Sequence, residues 1–180
     1  MGIVKHFAWS PDGQTLLFDF AQGDVRKVYQ ARSASGEVQL FTAFDSGEPA
    51  WSPDGKRVVV ASQNGLHSVD SEGHDRVQLS STPAQSPAWS ADGSQIAYLA
   101  NQTNAQGIAM WVMGADGTNQ TRITESGVLR FAWSPISRRL AYITGQANDR
   151  NAVLYLWVTD LENPAKLIAE VNEADIAWTR

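Results

Sequence analysis

The stretch Phe7-Ala8-Trp9-Ser10-Pro11-Asp12-Gly13 decides the fold, because it recurs along the chain. Pro-Ala-Trp-Ser-Pro-Asp-Gly follows at 49–55 and Pro-Ala-Trp-Ser-Ala-Asp-Gly at 87–93. A fourth copy, at 131–135, ends after Phe-Ala-Trp-Ser-Pro, and a fifth, at 176–180, reads Ile-Ala-Trp-Thr-Arg. The tryptophans at 9, 51, 89, 133 and 178 are therefore 42, 38, 44 and 45 residues apart. Such a period is typical of a four-stranded β-propeller blade.

Each repeat carries signals for four strands. Ser-Pro-Asp-Gly after the tryptophan predicts a tight turn, since Pro presets φ, Asp bonds back to the backbone and Gly adopts the left-handed conformation. Second strands, rich in β-branched and aromatic residues, are predicted at 15–20, 57–61, 95–100 and 139–144. Third strands are predicted at 25–31, 65–69, 108–113 and 153–159, and short fourth strands at 38–41, 77–79, 121–123 and 166–168. No segment shows sustained helical periodicity.

The sequence therefore predicts an all-β fold, a single β-propeller region over residues 1–180. Its four four-stranded antiparallel blades are expected at about 4–44, 46–82, 84–126 and 128–170, and residues 174–180 are expected to form the first, innermost strand of a fifth blade. In a closed four-bladed ring that strand would compete with Phe7-Ala8-Trp9 for one position. Three arrangements stay open: a fragment of a parent with roughly six to eight blades, two half-rings that pair through apolar blade faces, or a four-bladed ring with a displaced tail. We favour the fragment, because the chain starts and stops at the same phase of the repeat.

The repeated residues are predicted to be structural. Stacked blades need a large apolar side chain between them and small residues where the innermost strands converge, which suits Ala and Ser on either side of one Trp. Ligand stacking is the minority interpretation for these rings. The structural set comprises Trp9, Trp51, Trp89, Trp133 and Trp178 with the turn residues Asp12, Gly13, Asp54, Gly55, Asp92 and Gly93.

The third repeat resembles the TolB-like (WD40-like, PD40-type) propeller repeat. It carries Ala88-Trp89-Ser90-Ala91-Asp92-Gly93, Ile96-Ala97-Tyr98, Trp111-Val112-Met113, Ala115-Asp116-Gly117-Thr118-Asn119 and Arg122-Ile123-Thr124. The resemblance implies a propeller used either to bind partner proteins, as in periplasmic TolB, or to gate the catalytic domain of prolyl oligopeptidase-type peptidases. It implies a periplasmic location if a signal peptide has been removed, and otherwise a cytoplasmic one.

Composition and motifs argue against several function classes. A net charge of −5 gives no basic footprint for nucleic acid, and the absence of cysteine excludes thiolate chemistry. There is no apolar run of membrane-spanning length and no Gly-x-Ser-x-Gly elbow. His67, Asp70 and His74 could form an open metal site, but a solvated hairpin end is favoured. We therefore predict no catalytic residues, no metal, no cofactor, no nucleic acid and no membrane insertion.

Binding is the favoured function, because loops on a rigid scaffold carry variable specificity. The residue three before each Trp is polar and differs between repeats, whereas the residue two before is always apolar. We predict that the polar set rings the channel mouth and binds a protein or peptide; it comprises His6, Glu48, Ser86, Arg130 and Asp175. The alternatives are a gating module of a larger hydrolase and a half-propeller that forms a homo-oligomer through its blade faces.

Overall fold

The computed structural model describes residues 2–101, 107–146 and 153–171, and within them four antiparallel four-stranded sheets. Every sheet has its strands in chain order, so each is one blade of the predicted propeller. The blade-one strands are β1 (Ile3–Trp9), β2 (Thr15–Gln22), β3 (Val25–Arg32) and β4 (Val38–Leu40); those of blade two are β5 (Gly47–Trp51), β6 (Arg57–Ser62), β7 (Gly65–Asp70) and β8 (Val77–Gln78). Blade three comprises β9 (Ala84–Trp89), β10 (Gln95–Asn101), β11 (Ile108–Gly114) and β12 (Thr121–Arg122), and blade four β13 (Val128–Trp133), β14 (Leu140–Gln146), β15 (Val153–Thr159) and β16 (Lys166–Val171).

The all-β prediction with four four-stranded blades is confirmed. Several strands run further than the sequence suggested, because the hairpin partner keeps pairing: β2 continues to Gln22, which faces Val25 across a tight turn. The predicted fifth innermost strand, 174–180, lies outside the described residues. Among the residues that the structure covers, no helix is long and apolar enough to cross a membrane.

The Ser-Pro-Asp-Gly turns share one hydrogen-bond network. In blade one the Ser10 hydroxyl donates to Asp12 Oδ1 at 2.6 Å and accepts the Thr15 amide at 2.9 Å. Gly13 has φ +71°, a conformation that disfavours any side chain. Blades two and three repeat these bonds through Ser52 with Asp54 and through Ser90 with Asp92. The turn closes each first hairpin in the way its residues predict.

Blade four keeps the turn without the Asp-Gly pair. Ser137 donates its hydroxyl proton to Ser134 Oγ at 2.9 Å, so this bond runs in the opposite direction to the Ser-to-Asp bonds of the other three turns. Ile136, in the turn itself, points into solvent. The fourth repeat therefore keeps the fold of the turn with fewer bonds to hold it.

The hydrophobic core lies between the blades. Alternate residues of each second and third strand face the next blade, so Leu17 and Val28 of blade one pack with Val58 and Val60 of blade two. The other two interfaces are built from the corresponding positions of blades two to four. Burial of these side chains stabilises the stack by about 1.5 to 3 kcal/mol each.

The repeated tryptophans link each blade to the one before it. Trp89 Nε1 donates to the Ala50 carbonyl at 3.1 Å, and Trp133 Nε1 donates to the Ala88 carbonyl at 3.0 Å. Trp51 occupies the same place at the first interface, but its buried Nε1 has no hydrogen-bond partner in the structure. Trp9 has no preceding blade within the described chain, and 52% of it is exposed.

The four blades form an unclosed row. The innermost strands lie side by side in chain order, β1 next to β5, β5 next to β9, and β9 next to β13. Blade one leaves one face open, and Phe7, 70% exposed, lies there beside Trp9. The described residues thus form a partial propeller whose axis runs along the innermost strands.

Candidate functional site

A β-bulge interrupts each innermost strand a few residues before its tryptophan. In blade one Lys5 and His6 together face Asp19, between the pairs Val4 with Phe20 and Phe7 with Phe18. The same two-against-one arrangement occurs at Glu48-Pro49 and at Ser86-Pro87, and in blade four the extra residue is Leu129. Bulges turn side chains away from the regular ladder, and Pro is tolerated there because it has no N–H to pair.

Two bulge residues adopt the left-handed backbone conformation. Glu48 has φ 51° and Ser86 has φ 52°, values that are uncommon outside glycine and turns. Such a conformation persists only where the surroundings hold it in place. Here the holding contacts are hydrogen bonds between blades.

These bulges surround one pocket at the axial end of the blades, which we call the axial pocket. Its volume is about 230 Å³. Four of the five predicted rim residues line it, namely His6, Glu48, Ser86 and Arg130, together with the apolar row Phe7, Pro49, Pro87 and Phe131. Asp175, the fifth rim residue, lies outside the described residues. The structure therefore brings the polar row and the apolar row to the same place, and the binding role of these residues stays a prediction.

A buried aspartate that the sequence reasoning missed organises the first side of the axial pocket. Asp19 is 1% exposed, and its Oδ1 accepts the amides of Lys5 at 3.1 Å and His6 at 3.0 Å. Its Oδ2 accepts from His6 Nδ1 at 2.9 Å and from the Glu48 amide at 3.2 Å. Burial acts to raise the pKa of Asp19, but the bonds from His6 and from the backbone amides outweigh it and hold the pKa below its ordinary value.

A glutamate continues the chain of contacts into blade three. Glu48 Oε2 accepts from the Ser86 amide, and Glu48 Oε1 pairs with Arg26 Nη1 at 3.4 Å. The bulge amide of blade two thus donates to a carboxylate of blade one, and the bulge amide of blade three donates to a carboxylate of blade two. These bonds position Glu48 and Ser86 and explain how their backbone strain is supported.

A signal for the missed residues exists in the sequence. Asp19 interrupts the apolar run Leu16-Leu17-Phe18-Asp19-Phe20 of a predicted strand, and an acidic residue in such a place is rarely buried without partners. Its partners, the bulge amides, come from another strand and another blade. Local pattern alone does not reveal them.

A larger groove, about 730 Å³, lies between blades two and three at the opposite end of the innermost strands. Trp89, Val77 and Leu79 line it together with the Asp54 and Asp92 turns. A smaller counterpart between blades one and two is lined by the corresponding turn residues, including Asp12 and Trp51. Because this groove repeats with the blades, we attribute it to blade spacing, whereas the axial pocket is formed by side chains that differ from blade to blade.

The histidines weighed as metal ligands do not converge. His67 is buried and contacts Ser62 Oγ through Nδ1 at 3.3 Å and Arg76 Nη2 through Nε2 at 2.7 Å. Asp70 Oδ1 instead accepts the backbone amides of Glu72 and His74 at 2.9 and 2.8 Å. Within the described ranges no group of three His, Cys, Asp or Glu side chains is arranged to hold a metal ion.

Comparison with known proteins places the chain among propellers. The family described as PD40, TolB beta propeller domain, matches residues 1–136. The structure of a putative TolB from Agrobacterium tumefaciens superposes with a TM-score of 0.77 and 21% identity, over 94% of this chain and 66% of that one. A chain in the crystal structure of a nidogen/laminin complex superposes with a TM-score of 0.66 and 10% identity, over 95% of this chain and 80% of that one.

One curated relative is a peptidase by name. The uncharacterized peptidase YuxL of Bacillus subtilis is 40% identical over 55 residues, which are 29% of this chain and 8% of the peptidase. The chain therefore spans less than two thirds of the putative TolB and a small part of the peptidase. At these identities the solved structures show a shared fold, and that fold serves both enzymes and proteins that are not enzymes.

Proposed function

The chain belongs to the TolB β-propeller family, and we propose that it is a non-catalytic scaffold whose axial pocket binds a protein or peptide partner. One observation carries the proposal: side chains of four blades, polar and unlike one another, converge on one pocket with an apolar floor. A floor of Phe and Pro rings suits an apolar side chain, and the polar rim suits the backbone and charges of the segment around it.

The site is already ordered before a partner binds, and this order favours binding. Inter-blade bonds hold Glu48 and Ser86 in their bulges, so little side-chain freedom has to be lost when a partner docks. The nidogen/laminin structure shows that a propeller of similar fold occurs in a protein complex. A protein partner is the corresponding proposal for this chain.

Selection from a phage-displayed library of random dodecapeptides tests the proposal. Selected peptides are titrated by fluorescence anisotropy against the wild type, Arg130→Ala and Arg130→Glu, with Lys56→Ala as the control. Lys56 is an exposed cation in the blade-two turn, at the opposite end of the innermost strands. We expect the rim variants to weaken binding at least tenfold and the control to leave it unchanged. Equal affinity for all four proteins, or no selected peptide, would contradict the proposal.

A second function, the gating module of a larger hydrolase, is favoured only by the 55-residue similarity to YuxL. It predicts an α/β-hydrolase domain in the same reading frame, which sequencing the locus would reveal.

Self-assembly as a half-propeller rests on the exposed Phe7 and Trp9 face. Light scattering tests it, because a mass of 19.6 kDa excludes pairing and twice that mass supports it.

A further inference from the structure

The charges around the axial pocket are not all available to a ligand. Asp19, with four hydrogen-bond donors on its two oxygens and 1% exposure, has no face left for an incoming group. Glu48 is 14% exposed, and its two oxygens already contact Ser86 and Arg26. Both carboxylates of the described site are thus engaged inside the protein.

The cations divide differently. Arg26 lies 3.4 Å from Glu48 and 3.7 Å from Asp19, so it belongs to the internal network. Lys5 and Arg130 are exposed, and the described part of the chain places no carboxylate within ion-pair distance of either side chain. They stand on the first and the last described blade. Arg130 lines the axial pocket, and Lys5 lines an adjoining cavity that shares His6, Glu48 and Ser86 with that pocket.

The other hydrogen-bonding groups of the site, those of His6 and Ser86, are also engaged inside the protein. A carboxylate can only accept, so His6 Nδ1 must be the donor to Asp19. Ser86 has its amide directed to Glu48 and its hydroxyl 3.5 Å from the same oxygen. A ligand in the axial pocket therefore meets Arg130 above an apolar floor, with Lys5 on the adjoining cavity, and none of the described carboxylates pairs with either cation.

From this distribution, and resting on the proposed function, we propose that the axial pocket selects a peptide segment that carries a carboxylate next to an apolar side chain. The carboxylate lies beside Arg130 in the axial pocket, on the side that adjoins the cavity of Lys5, and the apolar side chain lies on the rings of Phe7, Pro49, Pro87 and Phe131. The carboxylate comes from an Asp or Glu side chain or from a peptide C-terminus, which share this chemistry. Arg matches a carboxylate in two-pronged geometry, and Lys adds a point charge.

The test uses synthetic nonapeptide mixtures that are acetylated and amidated, with Phe at position four and position five fixed as Asp, Asn, Glu or Gln. Each acid and its amide are close in shape, so their difference reports the charge. We expect the acids to bind the wild type about tenfold more tightly than the amides, the size of one charge-assisted contact. A further arm ends at position five with Asn as the last residue, so that its free C-terminal carboxylate lies next to the Phe at position four. Affinity restored in that arm would assign the site to a chain terminus.

Matched variants distinguish this inference from the proposed function on which it rests. Lys5→Gln and Arg130→Gln should each reduce the preference for acids, and the double variant should abolish it, whereas Lys56→Gln should retain it. Both rim cations are exposed, so the variants are expected to unfold at the wild-type temperature. Binding without a preference for acids, or a preference that survives in the double variant, overturns the inference and leaves the proposed function standing. Failure of every mixture to bind overturns both.

Discussion

Replacing Trp89 with Phe should destabilise the protein more than replacing Trp51 with Phe. Both indoles fill the same place between consecutive blades, and both substitutions remove a similar part of the ring. Trp89→Phe also removes the Nε1 bond to the Ala50 carbonyl, whereas Trp51 Nε1 makes no bond. The lost hydrogen bond costs about 1 kcal/mol, and release of the unpaired Trp51 donor returns about 1 kcal/mol of desolvation.

The expected difference is therefore about 2 kcal/mol in the free energy of unfolding. With a urea dependence of about 2 kcal/mol per molar, the two unfolding midpoints should differ by about 1 M. Circular dichroism follows the transition without relying on tryptophan fluorescence. Trp133→Phe is the matched repeat, because its indole donates to the Ala88 carbonyl, and it should behave like Trp89→Phe. A loss at Trp51 equal to or larger than the loss at both other positions would refute the reasoning.

Three further predictions follow from the blades. Trp133→Ala should lower the free energy of unfolding by about 3 to 5 kcal/mol, and Trp9→Ala, at the open face, by less than about 1 kcal/mol, in the same urea titration. Gly73→Ala should lower the melting temperature more than Gly13→Ala, since both glycines have positive φ but only at Gly73 would the new Cβ meet a carbonyl, that of Phe41. Burial, and then the charge of Arg76, lower the pKa of His67, so below pH 6.5 the unfolded chain takes up a proton that the folded chain resists. Stability should fall from pH 7 to pH 5.5, and His67→Gln should flatten that slope; an unchanged slope would contradict the assignment.

The fold was largely predictable because the same strand and turn signals recur at the same positions of each repeat. Turn residues and apolar alternation are local, so strand 95–100 was predicted almost as Gln95–Asn101 is observed. Counting back from each Trp also selected His6, Glu48, Ser86 and Arg130, which the structure gathers around one pocket. Residues at the same distance from the tryptophan lie at the same height along the propeller axis in each blade. Counting back from the tryptophan therefore identifies residues that lie close together.

The rest depended on contacts between blades. Glu48 was expected to be a free rim charge, but an amide from the next blade and Arg26 from the blade before engage it. Asp19 and Lys5 were overlooked because their roles arise from a bulge, and an extra residue in a strand leaves no simple signature. Trp51 looks identical to Trp89 in sequence and differs only in whether a carbonyl lies within reach.

The indole and bulge-amide hydrogen bonds between blades run one way, since each of these N–H groups donates to the preceding blade. The stack is therefore polar, in the sense that its two ends are chemically different. A sheet that extends it beyond Trp9 must present its carbonyl-bearing face, as blade two does to Trp89. Two copies related by a twofold axis through that open face would set donor against donor. Only head-to-tail, heterologous stacking continues the pattern, and such contacts generate rings or open filaments, not isologous dimers.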